Sequence, residues 1–174
     1  MNTLCSNCRK VVGIQEHNTD PNLGPVLCPE CGDVFLSEYG GVSLGEYLDH
    51  FEDPIVVFNK ELRVVACNRK GLKEVEAVSA RAYGLLSGEF MDCRNASLGG
   101  VCGQSPNCPQ CGIRNSVTTT LSTGKPLKNV PAYFTGAGTH GTFTREWNIN
   151  THKVGETVHA SFHRPLVGSQ FRRV

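Results

Sequence analysis

The sequence predicts an α+β protein in which a small cysteine-rich module precedes a larger domain. The 174 residues, 39% of them hydrophobic, suffice for one ordinary core and one smaller unit. After residue 43, strand-like runs and helical periodicities follow in the order two strands, helices and three strands. Residues 1–36 instead carry two cysteine pairs, turn-forming residues and too few apolar side chains for a core of their own.

The amino-terminal module, residues 1–36, is predicted to be a zinc ribbon. Its two CxxC pairs flank residues 9–27, a separation within the range of such ribbons. Two CxxC loops supply four thiolates to a tetrahedral zinc ion, whose binding energy replaces the missing core and leaves no open position for catalysis. The alternatives are free thiols or a thioredoxin-like redox pair, which would need a βαβ setting absent here. The predicted ligands are Cys5, Cys8, Cys28 and Cys31.

A polar, glycine-containing segment, residues 37–42, is interpreted as a linker, and the larger domain is predicted to cover residues 43–174. Ser43 is the expected N-cap of a short amphipathic helix. This helix is predicted because apolar side chains recur at i, i+3, i+4 and i+7. They are Leu44, Tyr47, Leu48 and Phe51.

A β-hairpin is predicted after the breaker Asp53-Pro54. Two strand-like runs, residues 55–59 and 62–68, are joined by a turn at Lys60-Glu61. From Asn68 to Val78 the periodicity becomes helical, with Leu72 and Val75 on one face.

The second half of the domain is predicted to be irregular over residues 81–103, then helical from Cys111. Gly124 is the expected C-cap of that helix, because glycine tolerates the left-handed conformation that ends many helices. Three strands complete the domain, with turn signals between them. They are predicted over residues 127–136, 142–150 and 156–166.

A second group of four cysteines lies in a glycine-rich stretch, residues 93–111, whose backbone can fold closely around an ion. Four thiolates can hold either an iron–sulfur cluster or a second zinc ion, and this spacing does not decide between them. Reversible disulfides or unliganded thiols are the remaining alternative. We expect the following helix to lower the pKa of the last pair, which favours ligation and redox activity equally. The four residues are Cys93, Cys102, Cys108 and Cys111.

Composition and motifs exclude several classes of function. A net charge of +1 gives no strong attraction to nucleic acid or acidic membranes. Since no apolar run could span a bilayer and the first residues lack a signal-peptide core, we expect a cytoplasmic protein. No hydrolase, phosphate-loop or metalloprotease motif occurs, so we predict no enzyme. Cys67 is expected to be a small buried hydrophobe, Trp147 a sheet aromatic, and His159 and His163 part of a solvated face.

From Ser43 onward the chain resembles a PAS domain, the small α+β sensor fold of bacterial signalling proteins. The resemblance rests on the opening helix, on DPIVVFNKELRVVACNRKGLKEV with Asn68 at the helix start, on the glycine-containing turn in GLLSGEFMDC, and on the last three strands. It implies a five-stranded antiparallel sheet flanked by helices, a ligand pocket between them and a sensory role. The insertion at residues 93–111 resembles a variant of anaerobic bacterial sensors, and the amino-terminal module resembles zinc ribbons attached to bacterial signalling domains.

Together, these features predict a cytoplasmic module that senses redox state, oxygen or metal through a cysteine-ligated centre. PAS sensors are usually fused to kinase, cyclase or DNA-binding outputs, none of which occurs in these residues. We therefore expect output through docking to a signalling protein, and the resemblance is compatible with a homodimer. Two alternatives stay open: a zinc-stabilised scaffold or nucleic-acid-binding protein, and a thiol–disulfide oxidoreductase using Cys108 and Cys111.

Overall fold

In the described part of the amino-terminal module, a two-stranded hairpin precedes a helix. Strands β1 (Asn2–Leu4) and β2 (Val11–Ile14) pair antiparallel, and helix α1 (Pro29–Glu38) follows. The computed structural model describes residues 2–14, 26–38, 40–42, 44–75, 83–138 and 141–165.

The larger domain is built on one antiparallel sheet of five strands in the order β4-β3-β7-β6-β5. The predicted α+β class with helices flanking such a sheet is therefore confirmed. Its elements are α2 (Leu44–Asp49), β3 (Ile55–Phe58), β4 (Val64–Cys67), α3 (Arg69–Glu74), α4 (Ser87–Phe90), α5 (Arg94–Gly99), a 3₁₀ helix (Cys108–Gln110), α6 (Gly112–Thr123), β5 (Leu127–Gly138), β6 (Gly141–Val154) and β7 (Thr157–His163).

The inner face of the sheet packs against residues from α3, α4 and α6 and holds the larger core. Trp147, the single tryptophan, lies in this core with 1% of its surface exposed. Its indole Nε1 donates a hydrogen bond of 2.9 Å to Glu74 Oε1 at the end of α3, which satisfies the buried N–H group. The interpretation of Trp147 as a sheet aromatic is confirmed.

The outer face of the sheet is covered on its β3 and β4 side by α1 and α2. Phe35 of α1 and Leu48 of α2 pack on Val57 and Val65 in this second core. His159 of β7 lies opposite Val57, its ring 6.2 Å from that of Tyr47 in α2, and is buried. The predicted solvated face is therefore wrong for His159, because strand alternation does not reveal what covers a face.

Asn68 fixes the junction of α2, β3 and α3. Its Oδ1 accepts hydrogen bonds from the main-chain N–H groups of Gly71 at 2.7 Å and Ile55 at 3.0 Å. Its Nδ2 donates to the main-chain oxygen of Asp53 at 2.8 Å. The buried asparagine thus caps the helix and closes the hairpin, as expected for the residue that starts α3.

Two differences from the sequence predictions have local causes. The stretch over residues 81–103, predicted to be irregular, contains α4 and α5, which are too short for a helical period to appear in the sequence. Helix α1 continues through Ser37 and Glu38, which the prediction placed in the linker. The expectations for Ser43, Val78 and residues 166–174 lie outside the described residues.

Candidate metal centre

The sulfur atoms of the four amino-terminal cysteines all lie within 4.8 Å of one another. The Sγ atoms of Cys8 and Cys28 are 3.7 Å apart. Zn–S bonds of about 2.3 Å in a tetrahedron place two sulfurs about 3.8 Å apart, so this spacing fits a four-coordinate ion. The predicted ligands Cys5, Cys8, Cys28 and Cys31 are therefore brought together in a geometry that could hold one metal ion.

The first pair occupies the tight turn between β1 and β2. The main-chain N–H of Cys5 donates to Lys10 O at 2.8 Å, and that of Arg9 donates to Cys5 O at 3.0 Å. Arg9 adopts a φ of 65°, in the left-handed region that closes such a turn. These bonds direct both sulfurs of the pair towards the same side of the loop.

The second pair lies at the start of a helix. Cys28 precedes α1 and Cys31 lies in its first turn, where the Gly32 N–H donates to Cys28 O at 2.9 Å. Two CxxC loops were expected, but only the first pair lies in a tight loop, and the second pair lies at a helix start. The main-chain N–H of Cys31 favours a thiolate at Cys28, but the Glu30 carboxyl and burial outweigh it and raise the pKa of Cys28 to about 12.

The crowded thiols cannot all ionise without a cation. Burial raises the pKa of Cys5, but main-chain N–H groups of Cys8, Cys28 and Asn7 outweigh it and lower that pKa to about 7. The pKa of Cys31 is raised, chiefly by burial. A bound divalent ion offsets the cost of ionising these thiols, since a coordinating thiol loses its proton outright.

The module is also packed against the larger domain. Phe35 is one contact between them. A second is the guanidinium of Arg9, which lies so close to Gly84 that a Cβ atom at position 84 would overlap Nη1 of Arg9. Glu38, the last residue of α1, lies in the same way against Gly155 in the turn between β6 and β7. Both glycines have positive φ, so the turn and the close approach each favour the absence of a side chain.

The central cysteines are arranged differently. Cys93 is the N-cap of α5 and forms an isolated antiparallel β-bridge with Gly136 of β5, and Cys102 Sγ lies 3.7 Å from Ser87 Oγ. Cys108 is buried in the 3₁₀ helix, and Cys111 is the N-cap of α6. Although all four lie in the described part of the chain, they form no cluster there that could hold a metal ion. A second metal site therefore stays a prediction.

The expected lowering of the pKa at the start of α6 is wrong for Cys111. Burial raises its pKa, and this outweighs the main-chain N–H groups of Arg114 and Ile113 at the helix start. The negative charges that Cys102 and Cys93 would carry raise it further. The helix dipole is thus too weak to offset burial of this thiol.

All nine cysteines are free thiols. Cys67 is buried in β4 and burial raises its pKa, which confirms its interpretation as a small hydrophobe.

The sequence interpretation missed Phe35, Asn7 and Asn59, although Phe35 could have been noticed as an aromatic residue four positions after Cys31 on a helical period. None of the helices in the described segments is long and apolar enough to cross a membrane.

No protein-family model matches the chain, and no curated protein matches it. Among solved structures, it is similar to a domain of a sensory box sensor histidine kinase/response regulator from Geobacter sulfurreducens, with 12% identity, a TM-score of 0.44, and coverage of 68% of this chain and 88% of that chain. It is also similar to the PAS domain of a Desulfitobacterium hafniense protein, with 16% identity, a TM-score of 0.35, and coverage of 69% and 99%. The chain's own sheet order and helix placement define its fold: a five-stranded antiparallel α+β domain whose outer face carries a four-cysteine module.

Proposed function

We propose that this chain is a signal-sensing module of the PAS type whose amino-terminal four-cysteine site holds a structural zinc ion. The observation that carries the proposal is the meeting of four sulfurs within 4.8 Å on a module that packs onto the five-stranded sheet. Two pairs of ligands come from different elements, a hairpin turn and a helix start. The ion therefore joins parts of the chain that have little core of their own to join them.

Zinc is the proposed metal because of the donor set. Four thiolates in a tetrahedron favour zinc or iron over magnesium, calcium or manganese, which prefer oxygen, and the spacing of the two CxxC pairs is that of a zinc ribbon. Four protein ligands leave no position for water or substrate, so the ion stabilises structure and does not catalyse.

The sensing element in this proposal is the central cysteine group. Cys93 and Cys102 are near enough to Cys111 for their charges to raise the pKa of Cys111, and the three lie where α5 and α6 meet the edge strand β5. An iron–sulfur cluster or second zinc ion, bound together with Cys108, would require this loop to close further. Binding or oxidation would then move α5 and α6 against the sheet and change the surface offered to a signalling partner.

An oxidoreductase is less well supported. Thiol–disulfide exchange needs a thiolate, and the raised pKa of Cys111 leaves that thiol mostly protonated near neutral pH. We therefore propose a binding and signalling role without catalysis.

The test is metal and sulfide content together with the visible absorption spectrum of protein purified without oxygen. Two variants are compared with the unmodified chain, Cys28→Ser/Cys31→Ser and Cys108→Ser/Cys111→Ser, with Cys67→Ala as a control cysteine outside both groups. About one zinc ion per chain, lost in the first variant alone, supports the amino-terminal site. Iron, sulfide and a visible band lost in the second variant support a redox sensor. Two colourless zinc ions would favour the scaffold alternative, and absence of metal in the unmodified chain would overturn the proposal.

A further inference from the structure

The metal centre has a hydrogen-bond partner inside its own first loop. Asn7 lies between Cys5 and Cys8, and its Nδ2 donates to Cys31 Sγ at 3.4 Å. A donor to a ligating thiolate stabilises its charge and fixes its direction, so such residues influence metal affinity although they do not touch the ion. Asn7 thus connects the first cysteine pair with a ligand of the second.

Asn7 is in turn held by a residue of the larger domain. Asn59 follows β3, and its Nδ2 donates to Asn7 O at 2.8 Å and to Asn7 Oδ1 at 3.2 Å. Because Oδ1 of Asn7 accepts from Asn59, the Nδ2 end of the same amide is directed towards the sulfur. Asn59 therefore determines which end of the Asn7 amide faces Cys31.

The Asn59 side chain is itself fixed by the hairpin turn between β3 and β4. Its Oδ1 accepts from the main-chain N–H groups of Glu61 and Arg63, each at 3.0 Å. Only 4% of its surface is exposed, so water does not compete well for these bonds. The hydrogen bonds form a continuous path from the hairpin turn of the larger domain to a metal-site thiol.

We infer that Asn59 is a positioning residue of the metal centre, acting through Asn7 on Cys31. The inference rests on the proposed metal site. By linkage, a residue that strengthens metal binding when the module is docked also makes bound metal strengthen the docking. Metal occupancy and the contact between the module and the hairpin turn are therefore coupled, and the sheet domain is part of the metal site.

Asn59→Asp separates this role from the role of Asn59 in the turn. The aspartate retains an oxygen that accepts from Glu61 and Arg63, but it replaces the donor with a second acceptor facing the two oxygens of Asn7. Zinc affinity is measured by competition with a chromophoric chelator, and the cobalt-substituted protein is followed by its thiolate-to-metal charge-transfer band. We expect zinc Kd to rise about 10-fold or more, the size typical for loss of an outer-shell partner, and the cobalt band to shift.

Asn129→Asp is the matched control. It makes the same isosteric change at an exposed asparagine of β5, outside both cysteine groups. Its zinc Kd should stay within about twofold of the unmodified chain. Asn7→Ala removes the path from the module side without altering the larger domain. Its loss of affinity and that of Asn59→Asp should not add in the double variant.

The outcomes are distinct. Unchanged zinc Kd and cobalt band in Asn59→Asp, with a lower melting temperature of the metal-free protein, would make Asn59 a turn residue alone and overturn the inference. Fully additive effects of the two variants would do the same. Failure of the unmodified chain to bind zinc or cobalt would instead overturn the proposed metal site. If Asn59→Asp does not fold, Asn7→Ala alone decides, since unchanged affinity there also refutes the path.

Discussion

Truncation of Phe35 should weaken the attachment of the amino-terminal module more than any exposed change on the same helix. Phe35 is 3% exposed and packs with Leu48 and Val57 under α1. Removing a fully buried phenylalanine side chain costs about 3–5 kcal/mol. We expect about 3 kcal/mol for Phe35→Ala, the lower end, because a contact between two units can collapse more easily than an interior core. That is a large part of the 5–15 kcal/mol typical of a domain.

Two measurements report separately on the larger domain and on the module. Trp147, the single tryptophan, is buried in the inner core, so its fluorescence during urea unfolding follows the larger domain. Zinc release to a chromophoric chelator follows the module. In Phe35→Ala, the tryptophan transition should move to lower urea with an unchanged slope. The zinc ion should stay bound, because structural zinc binding of about 10–16 kcal/mol far exceeds the packing loss.

Leu36→Ala is the control, because the neighbouring Leu36 side chain is 42% exposed on the same helix. It should cost less than about 1 kcal/mol, within the range of surface substitutions. A loss below about 1 kcal/mol for Phe35→Ala would refute the packing of α1 on the sheet. Equal losses for both variants would show that only the helix itself was affected.

Three further predictions concern pH and close packing. Burial, with a smaller contribution from His152, lowers the pKa of His159 to about 3. The unfolded state therefore binds more protons below its ordinary pKa of about 6.5, and stability should fall there by up to about 1.4 kcal/mol per pH unit. Urea melts should show this slope disappear in His159→Phe. Burial and then the charge of Glu156 raise the pKa of Glu38, so its contribution to stability declines as the pH rises above the ordinary carboxyl range. Glu38→Gln should remove this decline and raise the melting temperature at pH 7, and an unchanged pH profile would contradict it. Gly71→Ala should destabilise by about 2 kcal/mol or more in urea melts, because its Cβ would lie 2.6 Å from Ile55 O, a main-chain atom that cannot move away freely.

Local patterns predicted the elements well because local interactions form them. The apolar spacing of α2, the hairpin of β3 and β4, and Gly124 at the end of α6 with φ of 69° all follow from sterics and hydrogen bonds between near neighbours. The four amino-terminal cysteines of the candidate metal site were predictable for the same reason, since a CxxC pair brings its own two sulfurs together. The short helices α4 and α5 were not predicted, because four to six residues carry too little periodicity.

The sequence by itself determined the α+β class, the order of the strands along the chain and the four cysteines that form the candidate metal site. Only the tertiary structure decided that Phe35 and α1 cover the outer sheet face, that His159 is buried beneath α2, and that burial raises the pKa of Cys111. It also decided that Asn59 meets Asn7 across the boundary between module and domain. These properties depend on which faces pack together. Such packing depends on surfaces formed by residues far apart in sequence, which no local pattern encodes.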